Sequence, residues 1–168
     1  MTDNEIITNS MIGNIDNLEL AAKEAIRAWI ETEGKLSDEL KSMSVITGDF
    51  LRKFVKDWIL INTRMTLGGS NEKYAEYAKQ LNDLVKPKIM DYSDEELPLK
   101  IQSITEELKK TGVTARKNGT KTMETSLVSK FAFCLRPEII VPYDKRARSG
   151  LTKVYGKKMI DHDYASYY

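Results

Sequence analysis

The sequence predicts an all-α fold, a compact bundle of about seven helices, on three observations. Apolar residues recur at three- and four-residue spacing through most of the chain. Helix start and stop signals bracket those stretches. The one segment that reads as extended, Pro137–Pro142, is closed by proline at both ends and so serves as a buried connector rather than a sheet strand.

The elements follow in order. Residues 1–12 are polar and uncapped, which predicts a frayed end. From Asp16, the apolar positions Leu18, Ala21, Ala22, Ala25, Ile26, Trp29 and Ile30 form one helical face to about Glu33, where Gly34 is expected to stop the helix. Ser37 is placed to cap a short helix through Met43. A third helix starts near Thr47 to Asp49, buries Phe50, Leu51, Phe54, Val55, Trp58 and Ile59, and is expected to run until shortly before Gly68-Gly69. Ser70 or Asn71 then caps a fourth, with Tyr74, Tyr77, Ala78, Leu81, Leu84 and Val85 on its core face and Pro87 at its end.

Ser93-Asp-Glu-Glu96 has the form of a capping box, in which serine and glutamate satisfy each other's backbone donors, so a fifth helix begins there. It carries Leu97, Ile101, Ile104 and Leu108 inward and ends at Lys109-Lys110-Thr111-Gly112. The stretch Thr111 to Thr122 has two glycines, three cations and no acid, an exposed basic loop. A sixth helix spans about Met123 to Leu135, and Asp144 stands where an N-cap would, ahead of a seventh at Lys145 to Val154. The last residues, 163–168, carry rings at helical spacing and no terminator, as in a helix cut short. Neither a repeat nor a linker divides the 168 residues, which read as a single domain.

Composition excludes several classes of function. The apolar fraction is 41% and the charged fraction 30%, with no apolar run near the roughly 20 residues of a membrane helix. The N-terminus lacks the pattern of a signal peptide, so a cytoplasmic, membrane-free protein is expected. One cysteine, Cys134, and one histidine, His162, are too few for a thiolate or imidazole metal cluster, and Cys134 sits where a thiol packs as a small hydrophobe. Neither a P-loop nor a dinucleotide fingerprint, zinc-protease helix or hydrolase elbow is present, so no metal and no cofactor is implied.

Charge is unevenly spread. Residues 1–108 carry 13 Lys and Arg against 20 Asp and Glu, a balance of −7, while residues 109–168 carry 13 against 5, a balance of +8, giving the overall +1. A cationic C-terminal third of this kind attracts nucleic acid or another polyanion, an acidic protein included.

Within that third, Lys130 interrupts an apolar helix, with Leu127, Phe133 and Cys134 on its side. Burial there would make its amine more nucleophilic. Asp144 follows a dry connector beside Lys145, Arg146 and Arg148, where it is suited to be an N-cap, a salt-bridge hub or a catalytic carboxylate.

The order Ser129-Lys130-Phe131, Arg136-Pro-Glu-Ile-Ile-Val141-Pro142-Tyr143-Asp144, then Arg146 and Arg148, resembles the catalytic corner of the helix-hairpin-helix DNA glycosylases. More narrowly, it is similar to bacterial proteins with an 8-oxoguanine DNA glycosylase fold. The resemblance covers about residues 123–155. It implies a glycosylase-like C-terminal part that flips a damaged or modified base out of duplex DNA, as in base excision repair. On that resemblance Lys130 attacks the sugar C1′ and Asp144 stabilises the cationic intermediate; the cations Arg116, Lys117, Lys121, Lys145, Arg146 and Arg148 are expected to bind the nucleic acid. A non-enzymatic alternative also fits the residues: a helical module of phage or host-defence type that keeps the fold and binds nucleic acid or an acidic protein.

Overall fold

The computed structural model describes residues 33–58, 60–116, 118–143 and Tyr164. The expected frayed end, the first helix, and the helix after Asp144 lie outside the described residues. Chain contacts divide the molecule into two units, Met1–Lys35 and Leu36–Tyr168.

The described residues are helical, as the periodicity predicts. In chain order the elements are α1 (Glu33–Ser42), α2 (Gly48–Asp57), α3 (Ile61–Leu67), α4 (Asn71–Gln80), a π-helical turn (Leu81–Val85), α5 (Lys86–Asp91), α6 (Leu97–Lys110) and α7 (Thr125–Leu135). Among the described residues the one strand-like pairing is an antiparallel bridge between Ala115 and Lys121. No described helix is long and apolar enough to cross a membrane.

Local signals hold where the chain itself supplies the partner. Thr47 caps α2 by accepting from the Phe50 N–H at 3.2 Å, and Ser70 caps α4 by accepting from Lys73. The capping box is formed: the Ser93 N–H donates to Glu96 Oε2 and the Glu96 N–H to Ser93 Oγ, both at 3.3 Å. Helix α6 ends as expected, with Gly112 at φ +86 just past it.

Four expectations are corrected, three of them by contacts distant in sequence or by a change of helical pitch. Gly34 does not stop a helix but lies inside α1. Ser37 is not a cap; its hydroxyl donates to the Cys134 carbonyl at 2.5 Å, tying α1 to the end of α7. The third expected helix is two, because the Leu60 N–H turns back to Val55 O at 2.9 Å, a five-residue reach that closes α2 and lets α3 leave in a new direction. Pro87 does not end the fourth. The wider π turn, whose Lys86 N–H reaches Leu81 O, absorbs the residue that lacks a donor, and α5 continues to Asp91.

That π turn also aims Asn82 at the loop before α2. The Asn82 amide accepts from the Ile46 N–H at 2.8 Å and donates to Ile46 O at 2.9 Å, so an irregular segment has its backbone satisfied. Nearby, a Cβ on Gly48 would sit 3.0 Å from the Ala75 backbone nitrogen, so only glycine lets the start of α2 press this closely on α4.

The core is one cluster that includes Leu51, Phe54, Val55, Tyr77, Leu81, Ile101, Leu127, Phe131 and Ile140. Cys134 is buried in it. Phe54 lies at its centre, with ring centroids of Phe50, Trp58 and Phe131 about 6.0–6.1 Å away. The connector after α7 is less extended than expected. Residues 137–139 form a turn, with the Ile139 and Ile140 N–H groups both directed at Arg136 O at 3.2 Å, while Ile139 and Ile140 are buried and Val141 is exposed. The Arg136 guanidinium clamps the end of α5 by donating to Ile89 O at 3.1 Å and Tyr92 O at 2.6 Å, and it pairs with Asp94.

Candidate functional site

Lys130 stands on α7, a helix buried on nearly every side, and is only 6% exposed. Its Nζ lies 5.2 Å from the centre of the Trp58 ring and donates to the Trp58 carbonyl at 3.4 Å. Trp58 is the C-cap of α2, so the ammonium sits where that helix turns out its unpaired carbonyls and the negative end of its dipole. The edge of Phe133 meets the same indole at 6.2 Å and 89°. The buried Trp58 Nε1 has no hydrogen-bond partner among the described residues.

Asp144 lies outside the described residues, but the chain leading to it does not. Ser129 Oγ accepts from the Tyr143 N–H at 3.0 Å, fourteen residues on, and the Tyr164 hydroxyl donates to Val141 O at 2.8 Å. The connector is thereby returned to the turn of α7 that carries Lys130, one residue before Asp144.

Of the expected phosphate-binding residues, Lys117, Lys145, Arg146 and Arg148 lie outside the described set. Arg116 and Lys121 fall on a short hairpin that refines the expected loop. The Arg116 N–H donates to Thr120 O at 2.9 Å and the Thr122 N–H to Thr114 O at 3.1 Å, on either side of the Ala115–Lys121 bridge. Lys121 is exposed and Arg116 half-buried. The Lys121 side chain turns toward the end of α6: its Nζ would lie 4.0 Å from a Cβ placed on Gly112. Lys109 and Lys110 occupy the last turn of that helix, so its carbonyl end is surrounded by cations.

The sequence reading missed the group that anchors this hairpin. Glu124, at the N-cap of α7, is 3% exposed. Its Oε2 accepts from Thr63 Oγ1 at 2.6 Å, and its Oε1 from Thr122 Oγ1 at 2.7 Å and Thr66 Oγ1 at 3.4 Å. A buried carboxylate is tolerable when donors surround it, and these come from α3 and from the end of the hairpin. Two features of the sequence point to it: Glu124 is the single acid between Lys109 and Arg136, and Thr63 and Thr66 are three apart on one helix face.

Tyr77 on α4 feels the same carboxylate. It is fully buried and its hydroxyl has no hydrogen-bond partner among the described residues. Burial holds its pKa well above the ordinary tyrosine value, and the Glu124 charge raises it further. A raised pKa means that the folded state resists ionisation, so stability should fall as pH rises past the unfolded tyrosine's value near 10. Tyr77→Phe is expected to flatten that alkaline decline without loss of stability at neutral pH, since no hydrogen bond to a described residue is given up. Thermal melts of both proteins between pH 8 and pH 11 check this.

Among the described residues no group of three or more His, Cys, Asp or Glu side chains is placed to hold a metal ion. Comparison with protein-family models, curated proteins and solved structures finds no match for this chain.

Proposed function

We propose that this chain is a helical nucleic-acid-binding module of glycosylase-like build, which grips the phosphate backbone through the basic hairpin and the end of α6. The observation that carries the reading is the gathering of Lys109, Lys110 and Lys121 at one helix end, in a stretch with no acid from Lys109 to Met123. Such a surface neutralises phosphates whatever the base sequence. Lys130 on this reading is a structural cation: it is nearly inaccessible and its ammonium is held by an indole face and a helix-end carbonyl. Charge reversal of Lys110 and Lys121 together is expected to weaken duplex DNA binding at least about tenfold, equally for unrelated sequences, because each lost phosphate contact removes a counterion-release contribution. Fluorescence anisotropy with two unrelated duplexes measures it.

A second reading, base excision, is favoured by one observation: the Ser129–Tyr143 hydrogen bond, which brings the chain before Asp144 back to Lys130. In that chemistry the neutral Lys130 amine attacks C1′, the C–N bond to the base breaks, and the base leaves with the bonding electrons and takes up a proton. The attacking nitrogen then loses its protons as the C1′–O4′ bond breaks and O4′ takes up one of them, which opens the sugar and gives an imine that borohydride reduces to a stable protein–DNA adduct. The binding-module reading expects no adduct from a broad panel of damaged duplexes. An adduct that Lys130→Ala abolishes would establish the enzyme instead.

A further inference from the structure

The hairpin formed by residues 114–116 and 118–122 has a shape as well as a charge. Side chains alternate across a two-stranded ribbon. Thr114 is buried, and the Thr122 hydroxyl is held by the buried Glu124, so this face of the ribbon is turned to the body of the protein. Ala115 and Lys121, paired across the bridge, lie on the other face, and Lys121 is exposed. Beyond the last pair, Arg116 N–H to Thr120 O, the ribbon ends in a tight tip. The Gly119 N–H donates to Arg116 O at 2.9 Å, Gly119 stands at φ +80, and Asn118 Oδ1 accepts from the Thr120 N–H at 3.1 Å. Nothing lies within 4 Å of a Cβ placed on Gly119, and Asn118, Gly119 and Thr120 are all exposed. The result is a narrow basic finger with a polar tip, anchored at its base by three threonine hydroxyls on one carboxylate.

Resting on the nucleic-acid reading above, we propose that this finger enters the major groove of B-form duplex DNA, tip first, with Lys110 and Lys121 on the flanking phosphates. The groove dimensions decide for this partner. Strands of a ribbon lie about 4.8 Å apart, and the B-form major groove, about 12 Å wide, admits two of them with their side chains. The A-form major groove of duplex RNA is too deep and narrow for side chains to read. The anchored Asn118 keeps its amide N–H donors for base-edge acceptors, because its oxygen is already engaged.

The test uses the full chain with a 20-base-pair DNA duplex, the RNA duplex of the same sequence, and one DNA strand alone, at one ionic strength. DNA duplex should bind at least about tenfold more tightly than either of the others. Dimethyl sulfate methylates guanine N7 in the major groove and adenine N3 in the minor groove, and the bound protein should protect N7. An Asn118→Ala, Thr120→Ala double variant should lose the preference for DNA duplex over RNA duplex, while Lys121→Glu should weaken both alike. Equal affinity for the RNA duplex, tighter binding of the single strand, or protection confined to adenine N3 would each overturn the inference and leave the nucleic-acid reading standing. Failure to bind any of the three would overturn both.

Discussion

Phe54→Ala is expected to lower the unfolding free energy by about 3–5 kcal/mol, the largest effect of any single change considered for this protein. Phe54 is fully buried on α2, and its ring is the common neighbour of Phe50, Trp58 and Phe131, so truncation removes apolar area and leaves a void that three rings on two helices cannot jointly fill. Because whole domains are stable by only about 5–15 kcal/mol, such a loss takes a large share of the total. Phe54→Leu, which keeps most of the volume, should cost about half as much or less. Urea unfolding of the three proteins, with unchanged slopes and shifted midpoints, is the measurement.

Glu124→Ala is expected to cost about 2–3 kcal/mol and to loosen the hairpin as well. The carboxylate accepts from Thr63, Thr66 and Thr122, and its removal leaves hydroxyls without their charged acceptor; Thr63 and Thr66 are 1% exposed. Glu124→Gln should recover part of the loss, since one carbonyl oxygen still accepts and a threonine hydroxyl can reverse to accept from the new amide. The two effects separate by amide hydrogen exchange. Protection of the Arg116 and Thr122 N–H groups should fall more in Glu124→Ala than protection within α2, whereas a uniform fall across both would deny the carboxylate its role as the hairpin's anchor.

What could be read from the sequence was whatever the chain does within four residues of itself. Thr47, Ser70, the Ser93–Glu96 box and Gly112 announce helix ends because their partners are one turn away. Pro87 misled for a complementary reason: it is a breaker only when the helix around it cannot adjust, and the π turn before it removes the conflict the residue would create. Ser37 had a better partner than its own backbone, a carbonyl 97 residues away.

The candidate site follows the same division. Lys130 was legible as a cation on an apolar helix face, but its seat on the end of α2 depends on Trp58, which only the packing of α2 against α7 could supply. Lys121 and Arg116 were legible as loop cations. Their arrangement on an anchored ribbon was not, because it depends on Glu124 meeting threonines from a helix some sixty residues earlier in the chain.

The most direct measurement for the central claim is the affinity of the full chain for a DNA duplex across a range of salt concentrations. If the basic hairpin and the end of α6 grip the backbone, the logarithm of the binding constant should fall linearly with the logarithm of salt, with a slope of about −0.9 for each phosphate neutralised. The Lys121→Glu protein should give a shallower slope by about one such contact. Binding that is unchanged by salt and by Lys121→Glu would contradict the account.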